Sequence, residues 1–143
     1  MENQVIIGRE YPQILTPLIE KAQHSIEILV YDWRWYANEP NSNVQKFNNA
    51  ILEASNRGVK VRALVNNNIM PTILQLEKLE VRRVGTKKMM HVKMIIIDQK
   101  IIVLGSHNFS KNAFEFNHEV SILSQSNDVI NRCTKYFNNL CLL

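Results

Sequence analysis

An α/β architecture is what the sequence predicts: a mixed, largely parallel central β-sheet with helices on both faces. Three features carry this expectation. In the first half, short runs rich in Ile and Val, SIEILVYD and VKVRALV, alternate with stretches of helical spacing, the pattern of a parallel sheet covered by helices. In the second half, strand-like runs crowd together with little between them, which brings antiparallel neighbours into the same sheet. The chain has 143 residues, 45% apolar and 21% charged. That is one domain's worth of polypeptide, and it buries roughly two thirds of its unfolded surface without staples. Residues 1–143 therefore read as a single domain.

Taken in order, Pro12 to Gln23 reads as a helix with Ile14, Leu15, Leu18, Ile19 and Ala22 on one face. Ser25 to Asp32 alternates and reads as a strand. Ala37 to Asn43 is a polar loop. Val44 to Asn56 carries Val44, Phe47, Ile51 and Ala54 at helical spacing, and Gly58 stands where a helix-ending glycine belongs. Val59 to Val65 is the next strand. Pro71 to Leu79 reads as a short helix opened by proline, and Val81 to Val84 as a short strand. His91 to Asp98 and Lys100 to Leu104 are strands joined tightly, His118 to Leu123 is another, and Val129 to Leu142 is a closing helix.

The net charge is +4, an excess that fits nucleic acid, acidic lipid or no partner at all. Its clustering says more. Arg57, Lys60 and Arg62 form one group, and Arg82, Arg83, Lys87 and Lys88 form a denser one that runs into the strongest motif in the chain. No apolar run approaches the roughly 20 residues a membrane helix needs, so no stable membrane association is expected. The start has an early Glu2, no basic leader and no long apolar stretch, which predicts a cytoplasmic protein if Met1 is the natural start. A chain beginning after a removed leader would be secreted or periplasmic. Cys133 and Cys141, eight residues apart on a helix, would lie about 12 Å apart, too far for a disulfide. They read as reduced thiols.

The chemistry concentrates in one stretch. Residues His91 to Asp98 read H-x-K-x-x-x-x-D, Gly105 to Ser110 read G-S-x-N-x-S, and Glu119 follows within HEVSIL. On a regular strand, residues two apart share a face. His91 and Lys93 then point the same way and pair an imidazole with a fixed positive charge, which suits attack on a phosphate. Asp98 has the opposite parity and lies at the far end. It is assigned a structural role, bonding backbone amides in the Gln99-Lys100 turn. Gly105 permits a sharp turn and close backbone approach. Ser106 and Asn108 then offer hydroxyl and amide donors near the same strand ends. Glu119 is the candidate to fix the tautomer and direction of the imidazole.

In this order and on these elements, the combination resembles the phospholipase D superfamily, the HKD phosphodiesterases, and especially its short single-motif nucleases. The upstream layout of helix, SIEILVYD-like strand and helix ending ASNRGVKVRALV is also similar, so the resemblance covers most of the chain. It implies the αβα sandwich of that superfamily. It also implies a role for each matching residue. His91 would be the nucleophile, forming a phosphohistidine. Lys93 and Asn108 would hold the non-bridging oxygens, Ser106 would support them, and Glu119 would orient His91. His107 stands at the variable position of G-S-x-N, where it would alter the pocket wall.

In-line displacement at phosphorus puts nucleophile and leaving group on opposite sides, so a second His must protonate the departing oxygen. None of His24, His107 and His118 has a lysine two positions on. A two-fold homodimer supplies the second His91 by symmetry. No metal or other cofactor is expected, because Lys93, Asn108 and their symmetry mates can stabilise the charge. The histidines also lack zinc-site spacing, and Asp32, Glu77 and Asp128 are scattered. The expected activity is metal-independent hydrolysis of DNA or RNA, with a phospholipase or transphosphatidylase acting on lipid head groups as the alternative. Arg82, Arg83, Lys87 and Lys88 are expected to rim the site and contact the nucleic-acid backbone. Tyr31, Trp33 and Trp35 alternate. They either stack on unpaired bases or pack in the core or a dimer interface, the packing reading being favoured with Trp33 kept as a stacking candidate.

Overall fold

The structure is a computed structural model that describes residues 3–66, 79–83 and 87–143. Its strands are β1 (Gln4–Ile7), β2 (Ser25–Val30), β3 (Lys60–Val65), β4 (Glu80–Arg83), β5 (Lys93–Ile97), β6 (Ile101–Gly105) and β7 (Val120–Ser124). The helices are α1 (Glu10–Glu20), α2 (Asn43–Asn56) and α3 (Asn127–Cys141), with a π-helical turn at Asn112–Phe116. The described strands form one sheet in the order β1-β7-β6-β5-β2-β3-β4.

The α/β class and the mixed sheet match the expectation. β1, β2, β3, β4 and β6 run one way and β5 and β7 the other. Most strands thus share a direction, yet parallel ladders are confined to β2–β3 and β3–β4. The other ladders are antiparallel because the two reversed strands lie between forward ones. The β5–β6 connection forces one such pairing. Asp98 and Gln99 both take positive φ, 54° and 55°, and Lys100 N donates to Ile97 O at 3.0 Å. That is a tight three-residue hairpin connection, Asp98 to Lys100, which can only join antiparallel neighbours.

Both faces are covered. On one, Leu15 and Ile19 of α1 and Phe47, Ile51 and Ala54 of α2 close over Ile26, Ile28, Val30, Ile95 and Ile97. On the other, Ile130 and Phe137 of α3 cover Leu29, Leu64, Met94, Ile96 and Ile102. β5 therefore feeds alternate residues to two cores, as a central strand must. Ser42 caps α2 by accepting from Gln45 N, Ser126 caps α3 by accepting from Val129 N, and Gly58 leaves α2 with φ +100°, the left-handed exit that favours glycine.

Several boundaries differ. α1 starts at Glu10, ahead of Pro12, because proline in a first turn lacks only an N–H that would go unused. β5 begins at Lys93 and β7 at Val120, so His91 and Glu119 precede their strands. β1 and the π-helical turn were not anticipated, since four residues of QVII on an edge and five of NAFEF carry little periodicity. The helix expected over Pro71 to Leu79 lies outside the described residues except for Leu79, as do Asn67, Asn68, Glu77 and Val84.

Candidate active site

The entry to β5 and the exit from β2 lie side by side, with Val30 paired to Lys93. His91 is exposed just before β5. Lys93 Nζ lies 2.9 Å from its Nδ1 and 3.3 Å from its Nε2. The Tyr31 ring, leaving β2, packs on the imidazole with centroids 4.8 Å apart, and Lys93 Nζ sits 5.7 Å from the Tyr31 centroid. An imidazole, an ammonium and a phenol ring thus brace one another. Burial pulls the Lys93 amine below the ordinary lysine range, and the nearby Glu119 charge works against that pull.

Gly105 ends β6 opposite Ser121. A Cβ there would meet Ser121 Cα at 2.4 Å and Val120 O at 2.5 Å, so only glycine lets β7 approach this closely. The approach sets up a tight exchange. Ser106 N donates to Val120 O at 3.0 Å, and Val120 N donates to Ser106 Oγ at 3.0 Å. Ser106 Oγ then donates to Glu119 Oε1 at 2.6 Å, while Asn117 Nδ2 donates to Oε2 at 3.1 Å. Glu119 is therefore held through both oxygens by Ser106 and Asn117, where His91 had been expected. Ser106, expected to support the phosphate-binding groups, directs its hydroxyl proton at the Glu119 carboxylate.

Asn108 Oδ1 accepts from Asp32 N at 3.1 Å. Phe109 N donates to Asp32 O at 3.0 Å and Arg34 N to Phe109 O at 2.9 Å, joining the G-S-x-N loop to the chain leaving β2. With its carbonyl oxygen anchored, the Asn108 side chain keeps its NH₂ as the end able to donate to an anion. Two buried residues of α2 fasten the same segment. Asn48 Oδ1 accepts from Trp33 Nε1 at 2.8 Å, Asn48 Nδ2 donates to Arg34 O, and Gln45 Oε1 accepts from Tyr36 N. Sequence reasoning missed both. Two amides on the inward face of an apolar helix were the available signal.

Other expectations are corrected. Asp98 does bond backbone amides, but those of Gln23, His24 and Ser25, at 2.7–3.2 Å, not those of the Gln99-Lys100 turn. Its left-handed backbone turns the side chain toward the α1–β2 junction. Burial alone would raise its carboxyl, but the three N–H bonds outweigh that and hold it below the usual range. Trp33 is 1% exposed and packs edge-on against Phe109, so it is core and not a stacking surface. His107 does not line the pocket. It is buried against Tyr11, with Nδ1 2.7 Å from Ser121 Oγ and Nε2 2.9 Å from Gly8 O. Arg82 is exposed and donates to Cys141 O at the end of α3. Lys87 and Lys88 are exposed, and Arg83 closes β4 in register with Val65. Val65 pairs with Val30 and Val30 with Lys93. The end of β4 is thus level with Lys93, three strands or roughly 14 Å across the sheet.

The site is an exposed histidine beside a lysine at the strand ends of an α/β domain, and the comparisons give that fold a family. The family model for the "Cardiolipin synthase, PLD-like domain" matches residues 15–141. The chain belongs to the phospholipase D-like family of phosphodiesterases. It is 32% identical over 111 residues to a phospholipase D of Rickettsia prowazekii, covering 73% of this chain and 50% of that protein. The chain thus spans about half the length of this curated relative. Among solved structures it is similar to NucT from Helicobacter pylori, with TM-score 0.78, 26% identity, and 98% of this chain and 95% of that one covered. It also matches a phospholipase D family member, Nuc from Salmonella typhimurium, with TM-score 0.78 and 20% identity over 96% and 93% of the two chains.

Proposed function

We propose that the protein is a metal-independent nuclease that cleaves DNA or RNA phosphodiesters through a phosphohistidine at a homodimer interface. The observation that carries this reading is the exposed His91–Lys93 pair at one end of the sheet, with the Asn108 amide and a fixed Glu119 at the ends of neighbouring strands. A ring nitrogen of His91 attacks phosphorus and forms a P–N bond as the P–O bond to the leaving group breaks. The leaving oxygen takes a proton from the second copy's His91. That histidine, now neutral, takes a proton from water, whose oxygen displaces His91 from phosphorus. Lys93 and the Asn108 NH₂ offset the charge on the non-bridging oxygens.

Two further features support the reading. The match to NucT covers 98% of this chain and 95% of that one, so the two share the fold along nearly the whole of the stretch compared. Among the described residues, the face of the sheet that α3 covers over its centre carries no helix over β1 and β7. Val5 pairs with Ile122 and Ile7 with Val120, and all four are exposed aliphatics. This patch begins one residue after Glu119, so a second copy seated on it would bring its own site close. Lys87 and Lys88, just before His91, suit phosphate contact without sequence preference.

One observation favours the lipid reading. Beside Lys88, an apolar groove lined by Met89, Met90, Tyr136, Leu140 and Leu143 opens next to the segment that carries His91, and the family description and the Rickettsia relative are lipid enzymes by name. Cleavage of plasmid DNA and a single-stranded oligonucleotide in excess EDTA, by wild type and His91→Ala, separates the readings. Cutting that persists in EDTA and disappears in His91→Ala is expected. No cutting, together with head-group release from phosphatidylcholine vesicles, would establish the lipid reading instead.

A further inference from the structure

The π-helical turn ends in Phe116, whose side chain is 69% exposed. The phenyl ring is open to solvent and stands on a hydrogen-bonded turn. Ala113 and Phe114 are buried beneath. Ser110 O accepts from Phe114 N at 3.0 Å, Asn112 O accepts from Asn117 N at 2.8 Å, and Ser110 Oγ accepts from Ala113 N. A ring on such a scaffold loses little freedom when something lies on it. π-Helical turns are rare and are found frequently at functional sites.

The location matters as much as the exposure. Phe116 is followed by Asn117, which donates to Glu119, and Glu119 is bonded to Ser106. Three residues span at most about 10 Å, so the Phe116 backbone lies within that reach of Glu119 in the candidate site. We propose that Phe116 is a base-stacking platform that grips an unpaired nucleotide next to the scissile phosphate. The proposal rests on the nuclease reading. An aromatic face suits any base and imposes no sequence, and it requires a base free of its duplex partner.

The test compares wild type, Phe116→Ala and Phe116→Trp on a single-stranded oligonucleotide, on the same oligonucleotide with abasic positions flanking the cleavage point, and on bis(p-nitrophenyl) phosphate. Phe116→Ala should lower kcat/KM on the intact oligonucleotide on the order of 5- to 100-fold, mainly through KM. Phe116→Trp should retain activity, and the small phosphodiester should be cleaved equally by all three. On the abasic oligonucleotide, wild type should fall to the level of Phe116→Ala. Equal cleavage of the intact strand by wild type and Phe116→Ala overturns the stacking assignment while leaving the nuclease reading in place. A shift of Phe116→Ala from dimer to monomer in sedimentation also overturns it, since the ring would then belong to the interface. Hydrolysis of the small phosphodiester with no cleavage of any nucleic acid removes both.

Discussion

His91 and His107 are sixteen positions apart in the chain, and the fold gives them opposite duties. His91 is exposed between Lys93 and Tyr31. His107 is buried, and because Nε2 faces the Gly8 carbonyl it must carry its proton there and accept from Ser121 Oγ at Nδ1. Burial holds the His107 imidazole below its ordinary range, against the opposing pull of the Gly8 bond and the Glu119 charge. The consequence for stability has a definite sign. In the unfolded chain His107 takes up a proton near pH 6.5, whereas in the fold it does so only at lower pH. Between those values the unfolded state binds more protons, so stability falls as pH drops below about 6.5 and levels off once the folded form is protonated as well. Urea titrations from pH 7.5 to 5 should show this fall, and His107→Gln should flatten it. A wild type equally stable at both ends would refute the assignment. The motif H-x-K was readable because spacing alone puts His91 near Lys93. The duty of His107 was not, since its partners Gly8 and Ser121 lie 99 and 14 residues away in sequence. For Trp33 the favoured packing reading agrees with its burial and the stacking alternative does not, a choice the sequence left open because an aromatic just past a strand looks alike whether it meets solvent or Asn48.

Among the elements, the β6–β7 seam is where packing and chemistry depend on one another. Gly105 has no room for a Cβ against Ser121 Cα and Val120 O, and backbone on both sides cannot yield cheaply. Gly105→Ala should therefore cost about 1–3 kcal/mol, a fall in Tm of roughly 3–10 °C for a chain of this size. It should also disturb the Ser106–Glu119 bond, so activity should fall further than stability requires. Thermal denaturation and cleavage assays check this, and a Tm within about a degree of wild type would mean the seam has slack. The central strands were legible because KMIII and SIEILV carry apolar residues on both faces. β1 was not, because a four-residue edge strand needs only one buried side chain, Ile6. The partners of Asp98 were expected in the adjacent turn. The left-handed backbone at Asp98 and Gln99, which aims the carboxylate at Gln23, His24 and Ser25 instead, is set by the hairpin as a whole.

For the molecule as a whole, the fold assembles one histidine–lysine pair per chain, while the proposed chemistry needs two histidines on opposite sides of phosphorus. In the proposed homodimer, the exposed aliphatic patch of Val5, Ile7, Val120 and Ile122 is the surface we assign to the second copy. No sequence pattern announced that patch, because alternation on β7 looks the same whether its outer face meets water, a helix or another chain. Co-refolding wild type with His91→Ala at equal concentration puts the shared site to the question. If both copies must supply His91, only the dimers with two intact histidines cut, and activity should be about one quarter of an all-wild-type sample at equal total protein. Activity of about one half, with each intact chain cutting on its own, would contradict the shared site.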